Sequence, residues 1–252
     1  MIAETRRQKI LDAVRKERSI TVQALAELLD TSISTVRRDL IALDQQGLLN
    51  KVHGGAALSE TQLLSVEMDM TTKESLRLPE KQVIGREAAA MIRADDFVFI
   101  DAGSTTLQLV YALEGEGLKA VYVTNGLAHT RALAQRGCVV YVPGGQIRQR
   151  TEAIVGATAV SVLSQYNFTK AFLGVDGISL ERGFTTPRIE ERELKATVLR
   201  SSRESWFLAD DSKFGKVFSA GICGLSGAGI LTNHLPDAQY RTFTMIKEAE
   251  SQ

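Results

Sequence analysis

Apolar residues recur at helical spacing from the start of the chain. Ile10, Leu11 and Val14 mark a helix over residues 5–17. Ser19-Ile20-Thr21 interrupts that pattern, and Thr21 is suited to cap a second helix over residues 22–29. There Leu25, Leu28 and Leu29 share a face. Asp30-Thr31-Ser32 is a polar turn, and Ser32 caps a third helix running to about Gln46, closed by Gly47. Residues 48–55 read as a strand and a tight turn. Two short helices joined by a brief turn and followed by a hairpin predict a winged helix-turn-helix over residues 1–57.

Beyond it the pattern changes twice. Residues 58–78 show no clear period and read as a linker. From Pro79 a helix follows, with Val83, Ile84, Ala88, Met91 and Ile92 at helical spacing. Then short apolar runs appear at 97–100, 121–123, 139–142, 171–173 and 206–208. Such runs fit strands buried on both faces of a largely parallel sheet. Helical segments at 107–113 and 127–135 separate some of them. The fold class is α/β: a winged helix-turn-helix plus a larger α/β domain over residues 79–252, with too few units for a barrel.

Composition narrows the class. The 252 residues suit one small and one mid-sized domain. No apolar run approaches the roughly 20 residues of a membrane span, and the first residues, MIAETRRQK, lack a signal peptide's apolar stretch. Cys138 and Cys223 fit neither a disulfide framework nor a metal-ligand spacing, so the expectation is a cytoplasmic protein with no metal or cofactor. The net charge is zero; residues 1–57 hold nine Lys/Arg against seven Asp/Glu, hence +2, and the remainder −2. So small an asymmetry makes the positions of the basic residues decisive.

At about 100° per residue, Ile33, Val36, Leu40 and Leu43 of the third helix form a buried stripe. Arg38 falls almost opposite, beside Ser34, Thr35 and Ala42, with Arg37 at the margin. This small polar face around one arginine suits a DNA major groove. Arg38 is expected to read base edges, most readily guanine, and Arg37 to hold a phosphate. Ser32, Ser34 and Thr35 complete the face, and Lys51 and His53 of the wing reach backbone or minor groove. The plainer alternative pairs Arg37 and Arg38 with Asp39 or Asp44 on a solvated helix.

The stretch SISTVRRDLIALDQQGLLNKVHGGA, residues 32–56, resembles the signature of the DeoR family of bacterial transcriptional regulators. Paired arginines before Asp-Leu, the closing glycine and the Val-His-Gly-Gly wing stand in register. Family members usually carry an aromatic residue and an arginine in the linker; here residues 64–76 read LSVEMDMTTKESL instead.

In open α/β sheets ligands bind at the carboxyl ends of strands. The first such end carries Asp101, Gly103, Ser104, Thr105 and Thr106. The next carry Thr124 and Asn125, then Gly144, Gly145 and Arg148, then Asp176 and Gly177, and finally Lys213. Five such ends are expected to converge on one crevice. Phosphate needs N–H donors and a cation, which the Ser104–Thr106 loop and Lys213 supply. Sugar hydroxyls need acceptors such as Asp101, Asn125 and Asp176. DAGSTT, TNG, GVDGI and ADDSKFGK in this half also resemble the family's effector domain, similar in fold to ribose-5-phosphate isomerase. That resemblance implies a DNA operator, a phosphorylated sugar or sugar alcohol as effector, and homo-oligomers. The alternative is a sugar-phosphate isomerase-like enzyme fused to a DNA-binding domain. Glu193 stands where the isomerase's base would stand, or on a solvated helix face with Lys195. The isomerase's lysine and glycine run has no counterpart in LERGFTTPRIEERE, so binding without turnover is expected.

Overall fold

The computed structural model describes residues 3–17, 19–45, 49–52, 54–57 and 70–249. The chain divides into two compact units, Met1–Glu67 and Met68–Gln252.

The smaller unit contains α1 (Ala3–Glu17), β1 (Ser19–Thr21), α2 (Val22–Leu28), α3 (Ile33–Gln45), β2 (Asn50–Val52) and β3 (Gly55–Ala57). Its core is the expected apolar stripe: Ile10, Val14, Leu25, Leu29, Val36, Leu40 and Leu43 are buried together. Leu28 and Ile33, expected in that stripe, are exposed, because they sit at the last and first positions of their helices. Thr21 caps α2, its hydroxyl accepting from the Ala24 amide at 3.1 Å. Ser32 caps α3, accepting from the Thr35 amide at 3.2 Å. The hairpin gains a third strand, in the order β1-β3-β2. Gly54 turns with φ +85, and a Cβ at Gly55 would lie 2.3 Å from the Ile20 carbonyl oxygen, so only glycine lets the wing close on β1. Gln46, Gly47 and His53 lie outside the described residues.

The larger unit opens with α4 (Met70–Ser75) and α5 (Leu78–Ala89). Then come β4 (Phe97–Ile100), α6 (Ser104–Ala112), β5 (Val121–Thr124), α7 (Leu127–Gln135), β6 (Val139–Tyr141), and the hairpin β7 (Gln146–Arg148) and β8 (Ala153–Val155). After α8 (Ala157–Leu163) follow β9 (Phe168–Gly174), β10 (Gly177–Ser179), β11 (Gly183–Thr186), α9 (Ile189–Arg200), β12 (Ser202–Leu208), β13 (Ala220–Cys223), β14 (Gly229–Thr232) and β15 (Ile246–Glu248).

Seven of these strands form one parallel sheet, ordered β15-β14-β12-β9-β4-β5-β6. Side chains alternate between its faces. Val98, Ile100, Tyr122, Phe172 and Trp206 pack with Ile84, Leu109 and Leu133 of α5, α6 and α7. Phe99, Val123, Leu173 and Phe207 pack with Leu163, Leu194 and Val198 of α8 and α9. Helices on both faces explain why the strands read as unbroken apolar runs. The chain leaves β4 towards β5 and β6, then returns to β9 on the other side of β4. The point where winding direction reverses opens a crevice at the strand carboxyl ends.

One boundary differs from expectation. Residues 70–78 are not linker: α4 and the start of α5 belong to the larger unit, and Met70 is buried in its core. The α4 helix has only six residues, too few to show an apolar period.

Candidate functional site

In the smaller unit the α3 surface carries two exposed arginines. Asp39 is buried and already taken by Arg6 (2.6 Å) and Arg7 (3.1 Å) of α1. Asp44 accepts from the Lys51 amide at 2.9 Å. Arg37 and Arg38 are exposed, and among the described residues neither has an ion pair. The pairing with Asp39 or Asp44 considered from sequence is therefore not formed. Arg37 lines a surface groove with Lys51 and Val52 of the wing. Ser34 and Thr35 stand at the start of α3, within hydrogen-bond reach of the Ser32 hydroxyl at 2.9 and 2.8 Å.

In the larger unit a cavity occupies the crevice at the ends of β4, β9 and β12, which are neighbours at the sheet centre. From β4 it takes Gly103, Ser104 and Thr105, where α6 begins and its first amides lack intrahelical acceptors. Buried Asp101 sits beneath, where its Oδ2 accepts from the Gly174 amide at 3.0 Å and from Lys195 Nζ at 2.5 Å. Lys195 also donates to the Gly174 carbonyl at 2.8 Å. Burial opposes the Lys195 charge, but Asp101 and Glu191 outweigh it and hold the pKa above the usual lysine value. From β9 comes Asp176, where Oδ2 accepts from the Thr186 hydroxyl at 3.0 Å and Oδ1 lies 3.4 Å from Lys73 Nζ. Burial raises this carboxyl, and Lys73, Lys213 and Lys195 more than reverse the effect. From β12 come Asp210, Ser212 and Lys213. Burial lowers the Lys213 pKa despite Asp176 and Asp210.

Three cations arrive from residues the sequence pattern left in or beside the linker. Lys73, Arg77 and Lys81 stand four residues apart and all line the cavity. They come from α4, the left-handed turn residue between the helices and the first turn of α5, so folding and not a shared helix face brings them together. Lys81 is buried, and desolvation lowers its pKa to about 8, partly offset by Asp210. Five cationic side chains line the cavity; Asp101 takes Lys195, Asp210 and Asp211 take Arg77 and Asp176 takes Lys73, which leaves Lys81 and Lys213 without an ion pair among the described residues.

Several expected residues lie elsewhere. Asn125 is buried behind the β4 loop: its Oδ1 accepts from the Ala102 amide at 2.8 Å and its Nδ2 donates to Ile154. Thr124 accepts from the Gly126 amide. Both shape the loop without lining the cavity. Thr106 is fully buried and donates to the Asp101 carbonyl at 2.6 Å, with His129 Nε2 3.0 Å from its hydroxyl. Burial holds His129 neutral, its pKa lowered to about 3. Gly144, Gly145 and Arg148, which follow the edge strand β6, do not line the cavity, although Thr151 from the same segment does; Arg148 lies 3.5 Å from Glu190. Gly177 is buried in the β10–β11 pair, outside the lining. Of the five expected strand ends, those of β4, β9 and β12 converge, joined by Thr151 from the segment that follows β6. Glu193 is exposed on the outer side of α9; Glu191, four residues from Lys195, lines the cavity instead. Burial raises the Glu191 carboxyl, with Asp176 adding to the rise and Lys195 opposing it.

The described cysteines are free, and no group of three metal-ligating side chains is assembled among the described residues. No described helix is long and apolar enough to cross a membrane.

Comparison with known proteins gives two family matches. Residues 6–62 match the DeoR-like helix-turn-helix domain, and residues 77–233 match the DeoR C terminal sensor domain. The chain is 38% identical to an uncharacterized HTH-type transcriptional regulator, FruR, of Bacillus subtilis (strain 168), over 98% of this chain and 96% of that one. It is 33% identical to the lactose phosphotransferase system repressor of Lactococcus lactis, over 86% and 85%. Among solved structures, ribose 5-phosphate isomerase A of Neisseria gonorrhoeae matches with TM-score 0.40 at 19% identity, covering 57% of this chain and 55% of that one. The sorbitol operon regulator SorC of Klebsiella pneumoniae matches with TM-score 0.36 at 12% identity, covering 82% and 88%.

Proposed function

The chain belongs to the DeoR family of transcriptional regulators, and from that premise we propose that it represses a sugar catabolic operon under the control of a phosphorylated sugar or sugar alcohol. Its relatives are named as regulators and repressors, so the reading is a sensor and not an enzyme. The DNA contacts fall to α3 and the wing, with Arg38 on base edges and Arg37 and Lys51 on phosphates. His53 extends the wing contact. The protein works in the cytoplasm as a homo-oligomer. Exposed Val139, Tyr141, Val142 and Ile147, around the open edge strand β6, support self-association.

The observation that carries the effector assignment is the cavity at the sheet's reversal point. It joins the free amides of α6 to Lys213, which among the described residues has no ion pair, and sets Asp176 and Glu191 nearby for hydroxyls. The phosphate sits against Ser104, Thr105 and Lys213, and the sugar hydroxyls against Asp176. A thermal-shift series tests this. A phosphosugar at about 100 times its Kd adds about 2.7 kcal/mol of stability, whereas the dephosphorylated sugar adds none. No shift with any phosphosugar removes the assignment.

A further inference from the structure

We propose that residues 70–77 form a strap that reports occupancy of the cavity to the chain leading into the DNA-binding unit, with Lys81 as the positioning residue that holds the strap down. The inference rests on the reading of the cavity as the effector site.

The strap is α4 and the turn after it. A helix of six residues has too few internal hydrogen bonds to persist by itself, so its position depends on its ties. There are four, and each ends in or beside the cavity. The Met70 amide donates to the Arg150 carbonyl at 2.8 Å. The next residue, Thr151, lines the cavity and its buried hydroxyl has no partner among the described residues. In the middle of the strap, Lys73 reaches Asp176 at 3.4 Å across the cavity mouth. At the carboxyl end, Lys81 donates to the Lys73 carbonyl and, at 2.6 Å, to the Leu76 carbonyl. Lys73 belongs to the last turn of α4, whose carbonyls have no intrahelical donors, and Leu76 follows directly after it. The last tie is Arg77, which pairs with Asp210 at 3.2 Å, with Glu80 at 3.1 Å and with Asp211. Its backbone is left-handed, φ 54 and ψ 41, a conformation that a residue with a Cβ keeps only when its surroundings impose it.

Lys81 is the shared component. Its ammonium has three N–H donors; two hold α4, and the side chain also lines the cavity. A phosphate beside Lys213 competes for that ammonium, because a charge-assisted bond to an anion is stronger than a bond to a neutral carbonyl. The same anion competes with Asp176 for Lys73. Filling the cavity therefore redistributes two of the four ties. Allostery needs such a differential contact between states, and here it acts on the segment that follows the DNA-binding unit in the chain.

The test uses the full chain and a DNA duplex selected from a random library with the parent protein. The effector probe is whichever of fructose 1-phosphate, tagatose 6-phosphate and glycerol 3-phosphate raises the melting temperature. For the parent, saturating probe changes the duplex Kd about tenfold or more, within the usual range of allosteric coupling. In Lys81→Met the change at saturation falls below about twofold. Lys213→Met needs more probe but reaches the parent's full change. A Lys81→Met protein that keeps the parent's ratio overturns the proposal. Hydrogen exchange on the parent decides the matter if that variant fails to fold or to bind. Saturating probe changes exchange at the amides of 70–77 about threefold or more if the strap reports occupancy; unchanged exchange overturns it. If no probe stabilises the parent, the effector reading itself fails and the strap falls with it.

Discussion

Lys195 Nζ lies 2.5 Å from Asp101 Oδ2, and both side chains are almost entirely buried beneath the cavity. The pair ties α9 to the end of β4, and the Gly174 amide and carbonyl at the end of β9 complete it. Removing one partner leaves a buried charge without compensation. Lys195→Met is expected to cost about 3–5 kcal/mol, read by urea unfolding of the full chain. Asp101→Asn should cost less when added to Lys195→Met than when made alone, because the two share one interaction.

On the DNA side, Arg38 and Arg37 separate base reading from backbone grip. Arg38→Ala is expected to cost about 1–3 kcal/mol and to relax base preference. Arg37→Ala is expected to weaken all duplexes alike and to reduce the salt slope by about one. Anisotropy titrations at several salt concentrations check both. Parent-like binding by both variants would remove α3 as the reading helix.

Lys81 gives the cavity a pH dependence. Its folded value of about 8 lies below the ordinary 10.5, so the folded chain releases this proton before the unfolded chain does. Stability contributed by the group is therefore gained as pH rises through about 8 towards 10.5. Anion binding runs the other way, since it needs the ammonium charged. A phosphosugar remains dianionic throughout this window, so its affinity falls by up to about tenfold per pH unit above Lys81's value. Calorimetry at pH 7 to 9 should show that fall in the parent and a weaker one in Lys81→Met. Lys213, also lowered by burial, accounts for what remains.

Ribose 5-phosphate should pass through unchanged. The position resembling the isomerase base, Glu193, is exposed and outside the cavity. Glu191 lines the cavity with its oxygen 3.1 Å from the Thr186 hydroxyl, but no equivalent of the isomerase's lysine and glycine run follows the aspartates. A ketose assay checks this, and turnover of about 1 per second or more would contradict it.

The helix-turn-helix was legible because three short helices around one core leave a strong apolar period, as Ile10, Leu25, Val36 and Leu40 show. The parallel strands were legible because helices cover both sheet faces. The order of those strands was not. In the sequence, the Gly144-Gly145 loop looks as competent as the loop at Asp176; only the sheet order places β6 at an edge and β9 beside β4. Strands β14 and β15 leave a weaker signal because Gly229-Ile230-Leu231-Thr232 and Ile246-Lys247-Glu248 hold only two and one apolar side chains, too few for an apolar run. Family position alone points to Glu193. At about 100° per residue, however, Glu191 and Lys195 share a face that Glu193 does not. Lys73 lies in a helix too short for an apolar period, Arg77 in the turn after it and Lys81 on the first turn of α5, so no periodic pattern marks the three as neighbours.

The most direct test of the account is the affinity of the full chain for its selected duplex, at fixed salt, with and without each phosphosugar at saturation. The account predicts that at least one phosphosugar shifts the Kd about tenfold or more, that its dephosphorylated form does not, and that Lys213→Met raises the concentration required. A duplex Kd that no phosphosugar moves, in a protein that binds the duplex normally, would contradict it.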